Sequence, residues 1–201
     1  MRFLVLSVVL LAATPLFVFG QQTSPTPSAP VTASSTAYRW PDSKTRFKRY
    51  IKGMVGPMTI GKSVAYAGIG TWKNSPEEWG DHWEGFGRRV ASGLGTNAIK
   101  QTFIYGLGEV GKLDSKYYRS QKKDFGSKVM NAVMSPVTAR NPEGKRVFGY
   151  PRIIGLYTAN IISHETWYPA RYDWKDGVKT ATVSMGVSVG YNLIKEFIWK
   201  K

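Results

Sequence analysis

The sequence predicts an all-α protein, a membrane-associated helical bundle packed through small residues four apart, and three observations carry that prediction. Gly87, Ala91 and Gly95 recur every fourth residue, as do Gly155, Ala159 and Ser163, and again Thr182, Gly186 and Gly190. Residues four apart share a helix face, so each set makes a groove that accepts another backbone. Glycine inside a helix costs roughly 0.5–1 kcal/mol relative to alanine in water, and close helix packing, most at home in membranes, is the compensating gain. The second observation is Ser75-Pro76-Glu77-Glu78, a capping serine with proline at the first helical position and glutamate three residues after the cap. The third is the helical spacing of Tyr191, Ile194 and Ile198 at the end of the chain.

The elements follow in order. Residues 1–20 carry Arg2, a mostly apolar stretch, Pro15, and Val18 and Gly20 at the minus-three and minus-one positions, which reads as a cleaved export signal. The alternative is an uncleaved anchor, since residues 3–19 are free of charge. Residues 21–37 hold three Pro, four Ser and four Thr and read as a disordered linker. A single helical domain is expected over residues 38–201. Its first helix, residues 43–52, alternates basic and aromatic side chains, with Lys44, Arg46, Lys48, Arg49 and Lys52 as candidate contacts to an anionic surface. Residues 53–72 carry one charge, Lys62, and many small side chains, which fits either a buried helix or a membrane-embedded one. The Ser75 cap is expected to start a long helix toward Gly111, with Gly93 and Gly95 as its weak point. Shorter helices follow over residues 124–139, 151–168 and 177–199. Lys100, Lys128, Arg152 and Lys179 interrupt the apolar runs, which disfavours an ordinary polytopic protein.

One stretch conflicts with this reading. Residues 181–193 alternate apolar and small or polar side chains with period two, as in a strand of a small outer-membrane β-barrel. A closed barrel needs about eight such segments, and only a weaker one, residues 63–72, accompanies it.

Composition narrows the function. A chain of 201 residues that is 42% hydrophobic and 20% charged buries a core, which excludes a disordered tail. The formal charge is +15, and +14 once Arg2 leaves with the signal, which favours anionic partners. Without cysteine there is no disulfide, no thiol nucleophile and no lipoprotein anchor. Trp79 and Trp83, which stack four apart on the expected helix, the group Trp167, Tyr168, Tyr172 and Trp174, and Tyr117 with Tyr118 sit beside charge like the aromatic belts of membrane interfaces, with glycan-stacking platforms or plain core as the alternatives. His82 and His164, with Glu78 and Glu165, are the candidate acid/base or metal group should the two segments meet. No serine elbow, phosphate loop or metalloprotease motif is present.

Several stretches together resemble a family of exported bacterial proteins to which no activity is attached. They are Glu77-Glu78-Trp79-Gly80, Trp83-Glu84-Gly85-Phe86-Gly87-Arg88-Arg89, Leu113-Asp114-Ser115-Lys116-Tyr117-Tyr118-Arg119, Thr138-Ala139-Arg140-Asn141, Trp167-Tyr168-Pro169 and Asn192-Leu193-Ile194-Lys195-Glu196-Phe197. The resemblance covers residues 40–199 and implies no catalytic residues. The expectation is therefore an exported protein of the periplasm or cell envelope, membrane-associated, with a structural or lipid-binding role and no cofactor or metal. The expected partner is anionic lipid, not nucleic acid; an envelope protein or a second copy is left open. The alternative is an envelope hydrolase or metal-binding enzyme using His82 and His164.

Overall fold

Six α-helices follow one another through residues 38–198, the part of the chain that the computed structural model describes. The signal segment 1–20, the linker 21–37 and residues 199–201 lie outside the described residues. The all-α expectation holds, and among the described residues strand occurs only as a short hairpin.

Helix α1 (Ser43–Val55) ends where Gly56 turns to extended backbone, and Pro57 opens α2 (Pro57–Trp72) at the first helical position. Helix α3 (Trp83–Gly111) runs for 29 residues without interruption, so Gly93 and Gly95 do not break it. Asp124 caps α4 (Phe125–Met134) by accepting a hydrogen bond from the Ser127 amide at 2.7 Å. A single tight turn (Ser135–Val137) leads into β1 (Thr138–Arg140), which pairs antiparallel with β2 (Arg146–Phe148), Ala139 opposite Val147. Helix α5 (Tyr150–Thr166) has proline in its first turn, and α6 (Trp174–Phe197) starts in a capping box of Asp173 and Asp176. Helix α3 packs against α1, α2 and α5; α5 packs against α6, and α6 against α4.

Two sequence expectations are corrected. The Ser75-Pro76-Glu77-Glu78 motif makes only one tight turn (Glu77–Trp79), and the long helix starts at Trp83 instead. The cause is Arg89. Its buried guanidinium donates to the carbonyls of Ser75 at 2.9 Å, Pro76 at 2.7 Å and Gly80 at 2.7 Å, and only Pro76 of the three also accepts a helical-turn bond, from the Trp79 amide at 3.3 Å. Gly80, at a φ of 73°, then turns the chain away. The period-two stretch at residues 181–193 is helix, not a barrel strand. Its hydroxyl residues are satisfied within the helix, Thr182 donating to the Val178 carbonyl and Ser188 to that of Ser184, both at 2.9 Å. The alternation therefore reports side-chain type, not extended backbone.

The small-residue grooves are used unevenly. On α5, Gly155, Ala159 and Ser163 are all buried. A Cβ at Gly155 would lie 2.9 Å from the Lys100 carbonyl oxygen and 3.1 Å from Ile104 Cγ1, so α3 and α5 touch through backbone here. On the other side a Cβ at Gly177 would lie 2.8 Å from Ile161 Cα, so α6 comes equally close to α5. Gly95 meets only the Trp167 ring, at 3.6 Å, while Gly87 and Ala91 are exposed. Gly186 and Gly190 are exposed with nothing within 4 Å, which corrects their assignment to helix packing. Helix α6 meets its neighbours through Gly177, Ala181, Asn192 and Glu196 instead. Spacing permits a close crossing, and a partner must still lie on that face.

Substitution at the two kinds of glycine should act with opposite sign. Gly155→Leu and Gly177→Leu should each lower unfolding free energy by about 2–3 kcal/mol through overpacking. Gly186→Ala and Gly190→Ala should each raise it by about 0.5–1 kcal/mol through helix propensity. Chemical denaturation followed by circular dichroism reads both effects.

Candidate functional site

Helix α1 divides its charges between two tasks. Arg46 forks onto both carboxylate oxygens of Glu109 at 2.6 and 2.8 Å, and Arg49 reaches Asp114 at 3.2 Å. Those two arginines dock the helix on the end of α3. Lys44, Lys48 and Lys52 stay exposed, four residues apart, beside the exposed apolar side chains Phe47, Ile51 and Val55. Of the five basic residues expected at an anionic surface, three lysines thus face outward, with apolar side chains between them. The face is amphipathic, with lysine stems long enough to run beside the apolar side chains while their ammonium groups stay in water.

The same inversion extends over the bundle. The buried hydrophobic side chains among the described residues are Ala67, Ala132, Ala139, Leu156, Ala159 and Ala181, five of them alanine. The buried polar set is larger and includes Arg89, Asp114, Asn131, His164, Asn192 and Glu196. Many large apolar side chains are exposed, Met58, Ile60, Val64 and Ile69 on α2, Phe125 and Met130 on α4, Val183, Val187 and Ile194 on α6, while Val90, Leu94, Ile99, Phe103, Ile104 and Leu193 are half-buried. No helix among the described residues is long and apolar enough to cross a membrane.

Tryptophan collects at one end of the bundle. Trp72 closes α2, Trp83 opens α3, Trp167 follows α5 and Trp174 opens α6. The two connectors that join these helices meet, because Arg171 pairs with Glu78 at 3.0 Å and with Glu77 at 3.7 Å. Trp72, Trp83 and Trp174 are 85%, 82% and 54% exposed. Trp79 and Trp83 do not stack on one helix face, since the connector separates them; Trp79 packs on Tyr168 with centroids 4.9 Å apart.

The histidine group divides as well. His164 is buried, stacked on Tyr168 at 4.2 Å, and its Nδ1 lies 2.8 Å from the Asn160 carbonyl, which only accepts, so Nδ1 carries the proton. Its Nε2 faces the Thr180 hydroxyl at 3.4 Å. His82 stands 94% exposed beside Asp81, Glu165 is exposed, and Glu78 is taken by Arg171. The four residues do not converge, and among the described residues no three acids or histidines are grouped to hold a metal ion.

Two polar centres that sequence reasoning missed lie at the opposite end. Asp114 accepts from Tyr118 at 2.7 Å and from Tyr38 at 3.2 Å, beside its contact with Arg49, and exchanges backbone hydrogen bonds with Arg140. Burial, then the Asp114 carboxylate, pushes the Tyr118 hydroxyl up to about 12. Glu196, only 2% exposed, accepts from the Tyr117 hydroxyl, from the Ser120 amide at 2.9 Å and from Asn131 at 2.6 Å. Burial alone would raise its pKa, but these donors and Arg119 hold it below the ordinary glutamate value. The run Leu113-Asp114-Ser115-Lys116-Tyr117-Tyr118-Arg119 supplies both centres, so a dense polar and aromatic heptad was the available signal.

Comparison with protein-family models, with curated proteins and with solved structures finds no match to this chain.

Because the folded pKa of Glu196 is depressed, its contribution is present above the unfolded value of about 4.3 and is lost as pH falls through the lower folded one. Glu196→Gln should therefore cost about 2 kcal/mol at pH 7 and progressively less below about pH 4. Denaturant midpoints of both proteins across that range provide the check.

Proposed function

We propose that this protein is an exported, non-catalytic component of the bacterial cell envelope that seats its helical bundle on an anionic membrane surface. The observation that carries the reading is the inversion of the bundle, with alanine and hydrogen-bonded polar groups inside and large apolar side chains outside. In water that arrangement forgoes burial worth roughly 1.5–3 kcal/mol for each large side chain left exposed. A lipid interface recovers it. Exposed tryptophans at one bundle end suit the headgroup region, where an amphipathic ring satisfies both its apolar face and its N–H. The lysines of α1 add attraction to anionic headgroups, about 1 kcal/mol each near such a surface. Export and envelope location rest on the sequence of residues 1–20, and lipid binding rests on the described surface.

In sedimentation with vesicles of phosphatidylcholine and phosphatidylglycerol, the protein should bind and should remain largely bound in about 1 M salt, where the Debye length falls to roughly 3 Å. Trp72→Ala combined with Trp83→Ala should lower affinity in high and low salt alike. Lys44→Gln, Lys48→Gln and Lys52→Gln should each lower it about fivefold, only in low salt. Complete release by salt would reduce the contact to surface charge alone.

A further inference from the structure

We infer that Lys62, Lys100, Arg152 and Lys195, brought together from four helices, form a binding site for a phosphate group. Lys62 comes from α2, Lys100 from α3, Arg152 from the first turn of α5 and Lys195 from the last turns of α6. The ammonium groups of Lys62 and Lys195 both sit against the Tyr191 ring, 4.0 and 4.4 Å from its centroid, which brings α2 and α6 together across the bundle. Burial pushes Lys100 down to about 8, and Lys62 and Arg152 push it further in the same direction. Lys195 is lowered by burial and then by Lys62, Arg152 and Lys116. Lys62 is exposed, and Lys100, Arg152 and Lys195 keep part of their surface accessible.

Counter-charge is what the cluster lacks. Among the described residues no carboxylate forms an ion pair with Lys62, Lys100 or Lys195. Arg152 donates to the Ser135 carbonyl at 2.9 Å and feels Asp114 from a distance, but Asp114 already serves Tyr38, Arg49 and Tyr118. Partly buried cations that repel one another are costly unless an anion joins them. A carboxylate brings one charge and two oxygens. A phosphate monoester brings about −1.5 to −2 charges and three acceptor oxygens, which matches several cations converging from different sides. The source is either free phosphate or a lipid headgroup. The lipid source rests on the membrane reading above; the phosphate chemistry does not.

The test uses the full chain. Inorganic phosphate should raise the melting temperature saturably and beyond sodium chloride of equal ionic strength. Lys100→Gln and Lys195→Gln should weaken that response at least about tenfold, the loss of one charge-assisted contact. Lys145→Gln, in the exposed turn of the hairpin, should keep it. Should the interior variants fail to fold, the wild-type protein gives the answer by mass spectrometry: phosphate should shield Lys62, Lys100 and Lys195, and not Lys145, from an amine-reactive reagent. Shielding by phosphatidylcholine vesicles doped with phosphatidic acid assigns the lipid source, and shielding by inorganic phosphate alone assigns free phosphate. Intact shielding by phosphate in a chain that ignores vesicles overturns the membrane reading and leaves this site standing. A chloride response equal to that of phosphate, or no shielding by either form, overturns the site.

Discussion

Helix α5 meets two neighbours at backbone distance, and everything else in the bundle is arranged around that approach. Gly155 admits α3 on one side, and Gly177 of α6 settles over Asn160 and Ile161 on the other. At such separations dispersion contacts come from main chain and Cβ atoms, so the interior needs little side-chain volume. Alanine suffices to fill it. Beside the buried Leu156 of α5, large residues such as Ile154 on α5 and Val183 and Val187 on α6 lie outside these close crossings. The same crossings set the spacing at which α2 and α6 lean toward each other with Lys62 and Tyr191 in contact.

A bundle closed through small residues gains less from apolar burial than an ordinary core does, and polar ties make up part of the difference. They are placed at the ends, where connectors would otherwise fray. Glu196 draws the segment after α3 and helix α4 onto the end of α6. Asp114 fastens the residues before α1, α1 itself and the hairpin. Buried polar centres of this kind are favourable only when their hydrogen bonds are made, and one absent donor leaves a desolvated charge. Such centres therefore fix a single arrangement of the chain more sharply than alanine contacts can.

Helix class and the three-residue face of α5 were legible because both depend on short-range periodicity. The outward lysines of α1 were legible for the same reason. The separate duty of Arg46 and Arg49 was not, since their partners Glu109 and Asp114 lie more than sixty residues further along the chain. Ser75-Pro76-Glu77-Glu78 misled because a local cap signal competes with Arg89, whose claim on the same carbonyls is tertiary. The alternation before Tyr191 misled because serine and threonine satisfy themselves inside a helix as readily as they face a barrel lumen. His82 and His164 stand apart because the chain turns away at Gly80 before α3 begins. Lys62, Lys100 and Arg152 stood out in the sequence only as interruptions of apolar runs, because the helices that carry them, α2, α3 and α5, are brought into contact only by the tertiary fold.

The tryptophan end has a further property. Its connectors are held by Arg89, by the pairing of Arg171 with Glu78 and by Tyr168 lodged between Trp79 and His164. Trp72, Trp83 and Trp174 consequently project from a floor whose backbone is already ordered. A flexible loop that inserts into another phase must surrender its chain freedom on contact, at roughly 1–2 kcal/mol per residue. On the membrane surface proposed above, this platform would surrender only the rotamers of a few indoles, so its arrival would be governed by encounter and orientation rather than by folding on contact.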